Sequence, residues 1–352
     1  MILTGRLLSM VKQKLFGLTL SQLEELVLSN GLPKYTAGQI AQWLYRKDVD
    51  SIESMTNLSL AAREKLAEHY LFGVSVPVKV TQSADGTKKY LFATESGGYI
   101  ETAYIPEGER ATLCVSSQVG CKMGCVFCMT GKQGFQGNLS AGDIVNQLRS
   151  IPEWQGITNV VYMGMGEPMD NLENVLTSLE ILTSPWGMAM SPRRITVSTI
   201  GITPAVIRFL QQSQCHLAIS MHTPFDDERL SLMPIQKVYP LSGVIEAIRP
   251  YDFSGQRRVS FEYIMLQGIN DTPRHAKEIV RLLNGIHCRV NLIGFHPIPN
   301  SPLKGTPHER IVEFRNFLTS KGIFTTIRAS RGQDIQAACG MLSTKEQRKI
   351  NS

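Results

Sequence analysis

The chain has 352 residues, of which 43% are hydrophobic and 19% charged, a composition typical of globular proteins with one large domain or two. Its formal net charge of +6 permits nucleic-acid binding without requiring it, because many metabolic enzymes are equally basic. No stretch approaches the roughly 18 apolar residues of a membrane span, and residues 1–17 lack the apolar core of a secretion signal. We expect a cytoplasmic, monomeric protein with no membrane partner, whose seven cysteines serve metals or catalysis rather than structural disulfides.

Residues 1–75 are predicted to form a small helical domain. Apolar residues recur at helical spacing in the segments 21–30, 36–46 and 61–69. Residues 76–106 change to a pattern typical of strands, with a β-hairpin whose glycine turn we predict at 96–98. The helical segment is either a packing domain or a module that docks a substrate, and its residues favour neither interpretation.

Strands and helices are predicted to alternate regularly from residue 107 to residue 342. Candidate strands cover 112–117, 157–163, 194–198, 216–220, 259–265, 290–295 and 324–328. Candidate helices cover 141–150, 172–182, 204–212, 241–248, 272–283 and 308–321, with Ser140 and Thr203 as predicted N-caps. Successive βα units predict an α/β fold with a parallel sheet, either doubly wound or a full or partial (βα) barrel. A short polar tail, 343–352, follows.

Three cysteines, Cys121, Cys125 and Cys128, stand at the spacing C-x3-C-x2-C. A [4Fe–4S] cluster is usually held by four thiolates, so three closely spaced thiolates would leave one iron open to a ligand that is not protein. The alternative is a zinc site, but zinc prefers two pairs of ligands, and only Cys125 and Cys128 form such a pair. The spacing therefore favours an iron–sulfur site at which a small bound molecule reacts.

Polar residues follow several predicted strands, at the end of a (βα) barrel where functional residues collect. The second strand is followed by Gly164-Met-Gly-Glu-Pro168, where glycines would let a ligand approach the backbone and Glu167 could accept from an ammonium group. Later strands end at or precede Ser198, Ser220-Met221-His222 and Asn300. Each of these alone is typical of a turn or cap, but together with the cysteine loop they predict a binding site at one rim.

Two further cysteines stand apart from this loop. Cys114 lies in the first predicted strand, and Cys339 precedes a glycine past the last strand, which predicts an exposed turn suited to a nucleophile. We interpret Cys215 and Cys288 as small hydrophobes because both directly precede apolar strands. Glu101 lies in a predicted strand of the hairpin, where a single glutamate usually faces solvent.

The last third of the chain has an excess of basic residues. This excess is as typical of phosphate contact as of solvated helix and strand ends. The residues are Arg289, Lys304, Arg310, Arg315, Lys321, Arg328 and Arg331, against Glu309 and Glu313.

The cysteine spacing, with Phe127 before the last cysteine, resembles the motif of the radical S-adenosylmethionine (SAM) superfamily. Three longer strings narrow the resemblance to the RlmN family of RNA adenine methyltransferases, and the resemblance covers nearly the whole chain. The three strings are Ala111-Thr-Leu-Cys-Val-Ser-Ser-Gln-Val-Gly-Cys121, Gly164-Met-Gly-Glu-Pro168 and Arg328-Ala-Ser-Arg-Gly332 before Cys339. The resemblance implies a partial (βα)6 TIM-like barrel of the radical SAM type, with the helical accessory domain and a short β-hairpin linker before it.

The resemblance also implies cofactors and partners. A [4Fe–4S] cluster on Cys121, Cys125 and Cys128 would bind SAM through its open iron, with two SAM molecules used per turnover. The residues implied to hold SAM are Gly166, Glu167, Ser198, Ser220, Met221, His222 and Asn300. The implied substrates are an adenosine in the peptidyl-transferase region of 23S ribosomal RNA and an anticodon-adjacent adenosine in certain transfer RNAs. An electron donor such as flavodoxin or ferredoxin would reduce the cluster.

The reaction implied by the family is methylation of carbon 2 of adenine. In it Cys339 carries the methyl group and becomes joined to the RNA, Glu101 accepts the adenine proton, and Cys114 attacks the Cys339 sulfur to release the product. Three alternatives remain: methylation of carbon 8, as in the related Cfr family; a radical SAM enzyme acting on a small molecule or peptide; and a zinc-stapled RNA-binding module.

Overall fold

A computed structural model describes residues 12–94 and 97–344. The chain divides into two compact units, Met1–Ser75 with Glu180–Ala189, and Val76–Leu179 with Met190–Ser352. Parts of three predicted segments lie outside the described residues: 1–11 of the helical domain, position 96 of the hairpin turn, and 345–352 of the polar tail. Within the described residues, no helix has the length and apolarity that crossing a membrane requires.

From residue 12 to residue 75, the first unit forms three helices and one short parallel strand pair. They are α1 (Leu20–Ser29), α2 (Thr36–Arg46), α3 (Leu60–His69), β1 (Gln13–Lys14) and β2 (Tyr70–Leu71). α1 begins with a capping box, in which the Thr19 hydroxyl accepts from Gln22 N and the Gln22 side chain accepts from Thr19 N. Its buried residues Leu23 and Val27 lie on the side that contacts α2. The three predicted helices are thus present, each within one residue of its predicted bounds.

The second unit is built on one ten-stranded sheet. Its strands are β3 (Lys79–Gln82), β4 (Lys88–Ala93), β5 (Tyr99–Glu107), β6 (Arg110–Cys114), β9 (Asn159–Tyr162), β10 (Ile195–Thr199), β11 (His216–Ser220), β12 (Val259–Met265), β13 (Cys288–Gly294) and β14 (Phe324–Arg328). A separate antiparallel pair is formed by β7 (Gln118–Val119) and β8 (Gly137–Asn138). The helices are α4 (Met129–Gln133), α5 (Ala141–Arg149), α6 (Leu172–Thr183), α7 (Thr203–Gln212), α8 (Asp226–Leu232), α9 (Leu241–Ile248), α10 (Pro273–Leu282) and α11 (His308–Ser320).

The strand order decides between the two predicted architectures. The seven strands β6 and β9 to β14 are all parallel, and each pairs with the next member of this set in chain order. A doubly wound sheet reverses its order at a switch point, and no such reversal occurs between these strands. The order ends at β14 on one side and β3 on the other. These features confirm a partial (βα)6 barrel.

The hairpin strands belong to the same sheet as the barrel. β3, β4 and β5 continue it beyond β6 in antiparallel order. Ala103 of β5 lies opposite Cys114, the last residue of β6. The hairpin therefore places Glu101, two residues before Ala103, beside the carboxyl end of the first barrel strand.

β12 illustrates how the two faces of the barrel strands differ. Tyr263 stacks on Phe314 of α11, with ring centroids 5.5 Å apart, in the apolar layer between sheet and helices. Its neighbour Glu262 points to the opposite face and lines a cavity inside the barrel. There the Glu262 carboxylate accepts from Asn291 at 2.7 Å and pairs with Arg328 at 3.4 Å. The barrel interior is therefore polar.

Of the two predicted N-caps, Ser140 is confirmed and Thr203 is wrong. Ser140 caps α5, because its hydroxyl accepts from Asp143 N while the Asp143 carboxylate accepts from Ser140 N, both at 3.1 Å. The prediction for Thr203 is wrong, since Thr203 is the first helical residue and Ile202 is the N-cap. The Ile202 carbonyl already accepts from Val206 N at 3.0 Å, so this donor is not available to the Thr203 hydroxyl.

Replacing Ser140 by alanine is expected to lower the free energy of unfolding by about 1 kcal/mol, because the hydrogen bond that the Ser140 hydroxyl accepts from Asp143 N at the exposed start of α5 is lost. Thr203→Ala is the matched control, and its effect should be much smaller. Urea denaturation of both variants measures the difference. Equal losses for the two would contradict the assignment of the caps.

Candidate active site

The three cysteines of the C-x3-C-x2-C motif lie on the loop between β7 and α4. Cys128 is the N-cap of α4, and its N–H donates to the Cys125 carbonyl at 3.2 Å, which closes the turn between them. Gly120 begins the loop at φ +73°, and a Cβ there would lie 1.7 Å from the Gly134 carbonyl oxygen. The loop conformation therefore requires glycine at position 120.

The thiols of this loop are partly buried against an apolar cluster that includes Met123, Phe127 and Met233. Burial raises the pKa of Cys121 to about 12 and the pKa of Cys125 well above its ordinary value, and neighbouring negative charges add to both rises. Bound iron removes this penalty, because a coordinating thiol is held as thiolate by the positive metal.

The donor set fits an iron–sulfur cluster. Within residues 12–94 and 97–344, no three His, Cys, Asp or Glu side chains are arranged to hold one metal ion. Cluster thiolates bind different irons, so their sulfur atoms need not converge on one point. Three soft thiolates in an apolar pocket are the ligands that an iron–sulfur cluster takes.

The glycines of the 164–168 segment are required by the chain itself. A Cβ on Gly164 would lie 2.7 Å from the Val115 carbonyl oxygen, and one on Gly166, at φ +97°, would lie 2.5 Å from Gln118 Cβ. Residues 115–118 make this close approach within the chain, and the approach of a ligand to the same backbone stays a prediction. Gln118 Oε1 also accepts from Glu167 N at 2.9 Å. These contacts fix the loop after β9 against the start of the cysteine loop.

Glu167 organises the rim with its carboxylate. It is 3% exposed, and it accepts from the Thr199 hydroxyl at 2.6 Å and from the backbone N–H groups of Met169 and Ile200, both at 3.1 Å. Burial raises its pKa to about 7 despite these donors. The carboxylate thus joins the loops that follow β9 and β10.

The other predicted rim residues lie where the strands end. Ser198 is the penultimate residue of β10, and Ser220 is the last residue of β11, followed directly by the buried Met221. Asn300, at φ +57°, is on the exposed loop after β13 and lines a cavity of about 470 Å³ together with Cys125. The predicted placement of these residues at one rim therefore agrees with their positions.

His222 is held in one orientation by its neighbours. It has φ +59° and is 6% exposed, and its Nδ1 accepts from Ile264 N at 3.1 Å. Its ring meets Phe127 edge to face, with centroids 4.8 Å apart. Burial lowers its pKa to about 3, so the imidazole is neutral and carries its proton on Nε2.

Cys114 and Cys339 line one cavity of about 550 Å³ inside the barrel, and both are free thiols. Cys114 is buried, while Cys339 is exposed in a turn, as its sequence context predicted. Burial raises the pKa of Cys114 to about 12; the nearby Cys339 adds to this rise, and the Arg328 guanidinium opposes it. Arg328 lines the same cavity, so one cation faces both thiols.

The turn that carries Cys339 is hydrogen-bonded to α4, the helix that begins at Cys128. Met129 N donates to the Gly340 carbonyl and the Thr130 hydroxyl donates to the Leu342 carbonyl, both at 2.8 Å. Gln133 exchanges two hydrogen bonds with Thr344, at 2.6 and 3.0 Å. This ladder places Cys339 next to the cysteine loop. The sequence did not predict α4, because five residues are too few for a helical period.

A second set of contacts holds the same C-terminal segment from the hairpin side. The Ser83 hydroxyl donates to Asp334 at 2.6 Å, and Gly332 N donates to Asp85 at 2.9 Å. Gly332 has φ +62°, and a Cβ there would lie 2.8 Å from the Thr87 side chain. The turn between β3 and β4 and the helix α4 therefore hold the cysteine turn between them.

Glu101 is not the solvent-facing residue that its strand position suggested. It is 6% exposed, and its carboxylate pairs with Lys89 at 2.9 Å and accepts from Ser343 N at 2.9 Å. The sequence could not show that Lys89 of the neighbouring strand pairs with the Glu101 carboxylate, or that the C-terminal segment covers this carboxylate. Glu101 thus contacts the segment that carries Cys339.

The predicted basic patch separates into two groups. Arg289, Arg328 and Arg331 line the barrel cavity, whereas Arg310, Arg315 and Lys321 belong to or follow α11, where Arg310 pairs with Glu313 at 3.3 Å. Lys304 is exposed on the loop after β13. The cavity also has arginines that the sequence did not single out: Arg110, Arg193 and Arg258.

Iodoacetamide is expected to modify Cys339 at least a hundredfold faster than Cys114 in the reduced, metal-free chain at pH 8. Cys114 is buried, and with a pKa of about 12 only roughly one thiol in ten thousand is the reactive thiolate at this pH. Peptide mass spectrometry after short labelling times measures both rates, with buried Cys215 as the control for slow reaction. Equal rates for Cys114 and Cys339 in the folded chain would contradict the geometry.

Comparison with known proteins identifies the family. The family model "Radical SAM superfamily" matches residues 115–283, and the model "Ribosomal RNA large subunit methyltransferase N-terminal domain" matches residues 13–71. Two relatives named probable dual-specificity RNA methyltransferase RlmN come from Phocaeicola vulgatus and Bacteroides thetaiotaomicron. The first is 58% identical over 96% of this chain and 97% of its own, and the second 54% identical over 97% and 99%.

A solved structure is similar over the same extent. The crystal structure of a radical SAM methyltransferase from Sphaerobacter thermophilus is 42% identical, with a TM-score of 0.88, and the match covers 94% of this chain and 99% of that one. The chain therefore belongs to the RlmN family of dual-specificity RNA methyltransferases, within the radical SAM superfamily.

Proposed function

We propose that this chain methylates carbon 2 of adenosine in 23S ribosomal RNA and in certain transfer RNAs, with Cys339 as the carrier of the methyl group. The observation that carries the proposal is the position of Cys339: it shares a cavity with Cys114, and its turn is hydrogen-bonded to the helix that begins at Cys128. The names of the relatives support RNA as the substrate.

Adenine carbon 2 dictates the kind of chemistry. This carbon is electron-poor and has no lone pair with which to displace a methyl group from a sulfonium, so polar methyl transfer does not occur there. Membership in the radical SAM superfamily implies a [4Fe–4S] cluster and SAM, and these supply a carbon radical when bound. The protein must hold the cofactors, present a methyl carrier and exclude water.

The three cysteines of the loop and the rim residues are proposed to hold the cofactors. Cys121, Cys125 and Cys128 would each hold one iron of the cluster. Gly166, Glu167, Ser198, Ser220, Met221, His222 and Asn300 would bind SAM at the carboxyl ends of the strands. The hydrogen bonds of Glu167 to Thr199 and Ile200 support this role, because they fix the rim before any ligand arrives.

Cys339 is proposed to carry the methyl group, and Cys114 is proposed to release the product. The Cys339 sulfur accepts a methyl group from one SAM, and a second SAM is consumed in removing one hydrogen atom from that methyl group. Its carbon, still attached to the Cys339 sulfur, then bonds to adenine carbon 2. The Cys114 thiolate attacks the Cys339 sulfur, a sulfur–sulfur bond forms, and the bond between the Cys339 sulfur and the methylene carbon breaks. This carbon takes up a proton to become the methyl group, and methylated RNA is released. The resulting disulfide takes two electrons and two protons from a cellular reductant before the next turnover. Arg328 supports the exchange, since its charge favours the thiolate of Cys114.

Glu101 has the role of proton acceptor in this proposal. Its buried carboxylate contacts Ser343 N, four residues after Cys339, which supports a location close to the reacting base. Lys89, at 2.9 Å, supplies the opposite charge that a buried carboxylate requires. The proton leaves adenine carbon 2 and is accepted by a Glu101 oxygen.

RNA must deliver an unstacked base into the barrel. Arg289 and Arg331, which line the cavity, are proposed to contact RNA phosphates. The helical domain, residues 1–75, is proposed as an accessory RNA-engaging module, and residues 76–106 as the hairpin that supports the core of residues 107–342. A flavodoxin or ferredoxin is proposed as the electron donor.

The two-cysteine chemistry is tested with Cys339→Ala and Cys114→Ala, reconstituted anaerobically with iron, sulfide, SAM, a reductant and ribosomal RNA. Cys339→Ala is expected to cleave SAM without methylating RNA. Cys114→Ala is expected to accumulate a covalent RNA–protein adduct, because the release step is lost. Cys288→Ala is the control and should retain methylation.

Mass spectrometry of the RNA nucleosides gives the readout and separates 2-methyladenosine from 8-methyladenosine. Wild-type levels of methylation in Cys339→Ala would refute the methyl-carrier role. A product modified at carbon 8 would instead show that the chain has the activity of the Cfr family.

A further inference from the structure

Arg229 is a buried arginine whose hydrogen-bond acceptors are all neutral. It lies in α8 and is 0% exposed. Its guanidinium donates to the backbone carbonyls of Ile200 at 2.7 Å, Ser220 at 3.1 Å and Met221 at 3.3 Å, and to the Gln236 side chain. No carboxylate among residues 12–94 and 97–344 forms an ion pair with it.

The nearest acid along this network does not touch the guanidinium. The Asp226 carboxylate accepts from the Gln236 amide at 2.6 Å, so the amide lies between the two charges. A buried charge without an opposite charge costs several kcal/mol. Asp226 attracts Arg229 through space, but no anion contacts the guanidinium directly, so the site can accommodate a further negative charge close to α8.

The end of α8 lies directly against the cysteine loop. The Leu232 carbonyl accepts from Val126 N at 3.1 Å, and Leu232 packs in the apolar cluster that contains Cys121, Cys125 and Cys128. Met221, whose carbonyl accepts from Arg229, directly precedes His222, and the His222 ring meets Phe127 of the cysteine loop with centroids 4.8 Å apart. The anion that Arg229 faces is therefore at the cysteine loop.

We propose that Arg229 is the counter-charge of the iron–sulfur centre and raises the reduction potential of that centre. The inference rests on the proposed cluster. Three thiolates carry more negative charge than the oxidised iron–sulfur core carries positive charge, so the complete centre is an anion, and reduction adds one more negative charge. A buried cation stabilises the reduced form more than the oxidised form, because its attraction grows with the charge it faces.

Arg229 also connects the loops after β10 and β11 with the Gln236 side chain. The effect of its charge must therefore be separated from the effect of its hydrogen bonds. Arg229→Lys keeps the charge, and Arg229→Gln removes it while keeping a hydrogen-bond donor. Arg208→Gln is the matched control, since Arg208 is an exposed arginine of α7 paired with Glu173. The full chain is reconstituted with iron and sulfide, without SAM or RNA, and iron content and midpoint potential are measured by redox titration.

The expected result is that Arg229→Gln is at least tenfold harder to reduce, a shift of about 59 mV to more negative potential for one electron. Arg229→Lys and Arg208→Gln should remain close to wild type. An unchanged potential in Arg229→Gln, or equal shifts in Arg229→Gln and Arg229→Lys, would overturn the proposal.

If Arg229→Gln does not retain the cluster, the iron contents of Arg229→Gln and Arg229→Lys are compared instead of their potentials. Retention by Arg229→Lys would then support the charge, and loss from both variants would show a purely structural role and overturn the proposal. Because RNA is absent, failure here is distinct from failure of the proposed methyltransferase activity, which is measured by the RNA product.

Discussion

The hydrogen bonds between α4 and residues 340–344 are the constraint on which the rest of the candidate site depends. The cysteine loop ends where α4 begins, and the turn with Cys339 is fixed to that helix by backbone and side-chain bonds. One short helix thus sets the distance between the cysteine loop and the exposed thiol. A displacement of about 1 Å between reacting groups can cost a hundredfold in rate, which explains why so short an element has so many contacts.

The barrel and the hairpin contribute different things to this arrangement. The parallel strands bring the loops after β9, β10 and β11 to one rim, where the Glu167 carboxylate connects two of them. The antiparallel strands add Glu101 and Lys89 beside β6, and the turn between β3 and β4 holds Asp334. The site is therefore assembled from both halves of one continuous sheet.

Much of the fold and of the candidate site could be predicted from local sequence pattern. The features that could not be predicted depend on contacts between residues far apart in the chain. The bounds of β11, β12 and β14 were predicted to the residue from their short, mainly apolar runs. α4 and α8, with five and seven residues, have too few turns for a periodic signal. The burial of Glu101 could not be predicted, since the backbone that covers it comes 242 positions later. The partial barrel was favoured over a doubly wound sheet only through family resemblance, because periodicity does not report strand order.

The two sets of hydrogen bonds that hold residues 332–344 also indicate the order in which parts of the chain fold. Thr130 bonds to Leu342 across 212 positions, and Ser83 bonds to Asp334 across 251 positions. Contacts of such long range form late, because closing a long loop costs chain entropy before the contacts compensate for it. During synthesis, which proceeds from the N-terminus, the hairpin, the cysteine loop and the barrel strands all exist before residues 332–344 emerge. The thiol at position 339 is therefore brought to its partners only after the barrel that encloses them has been built.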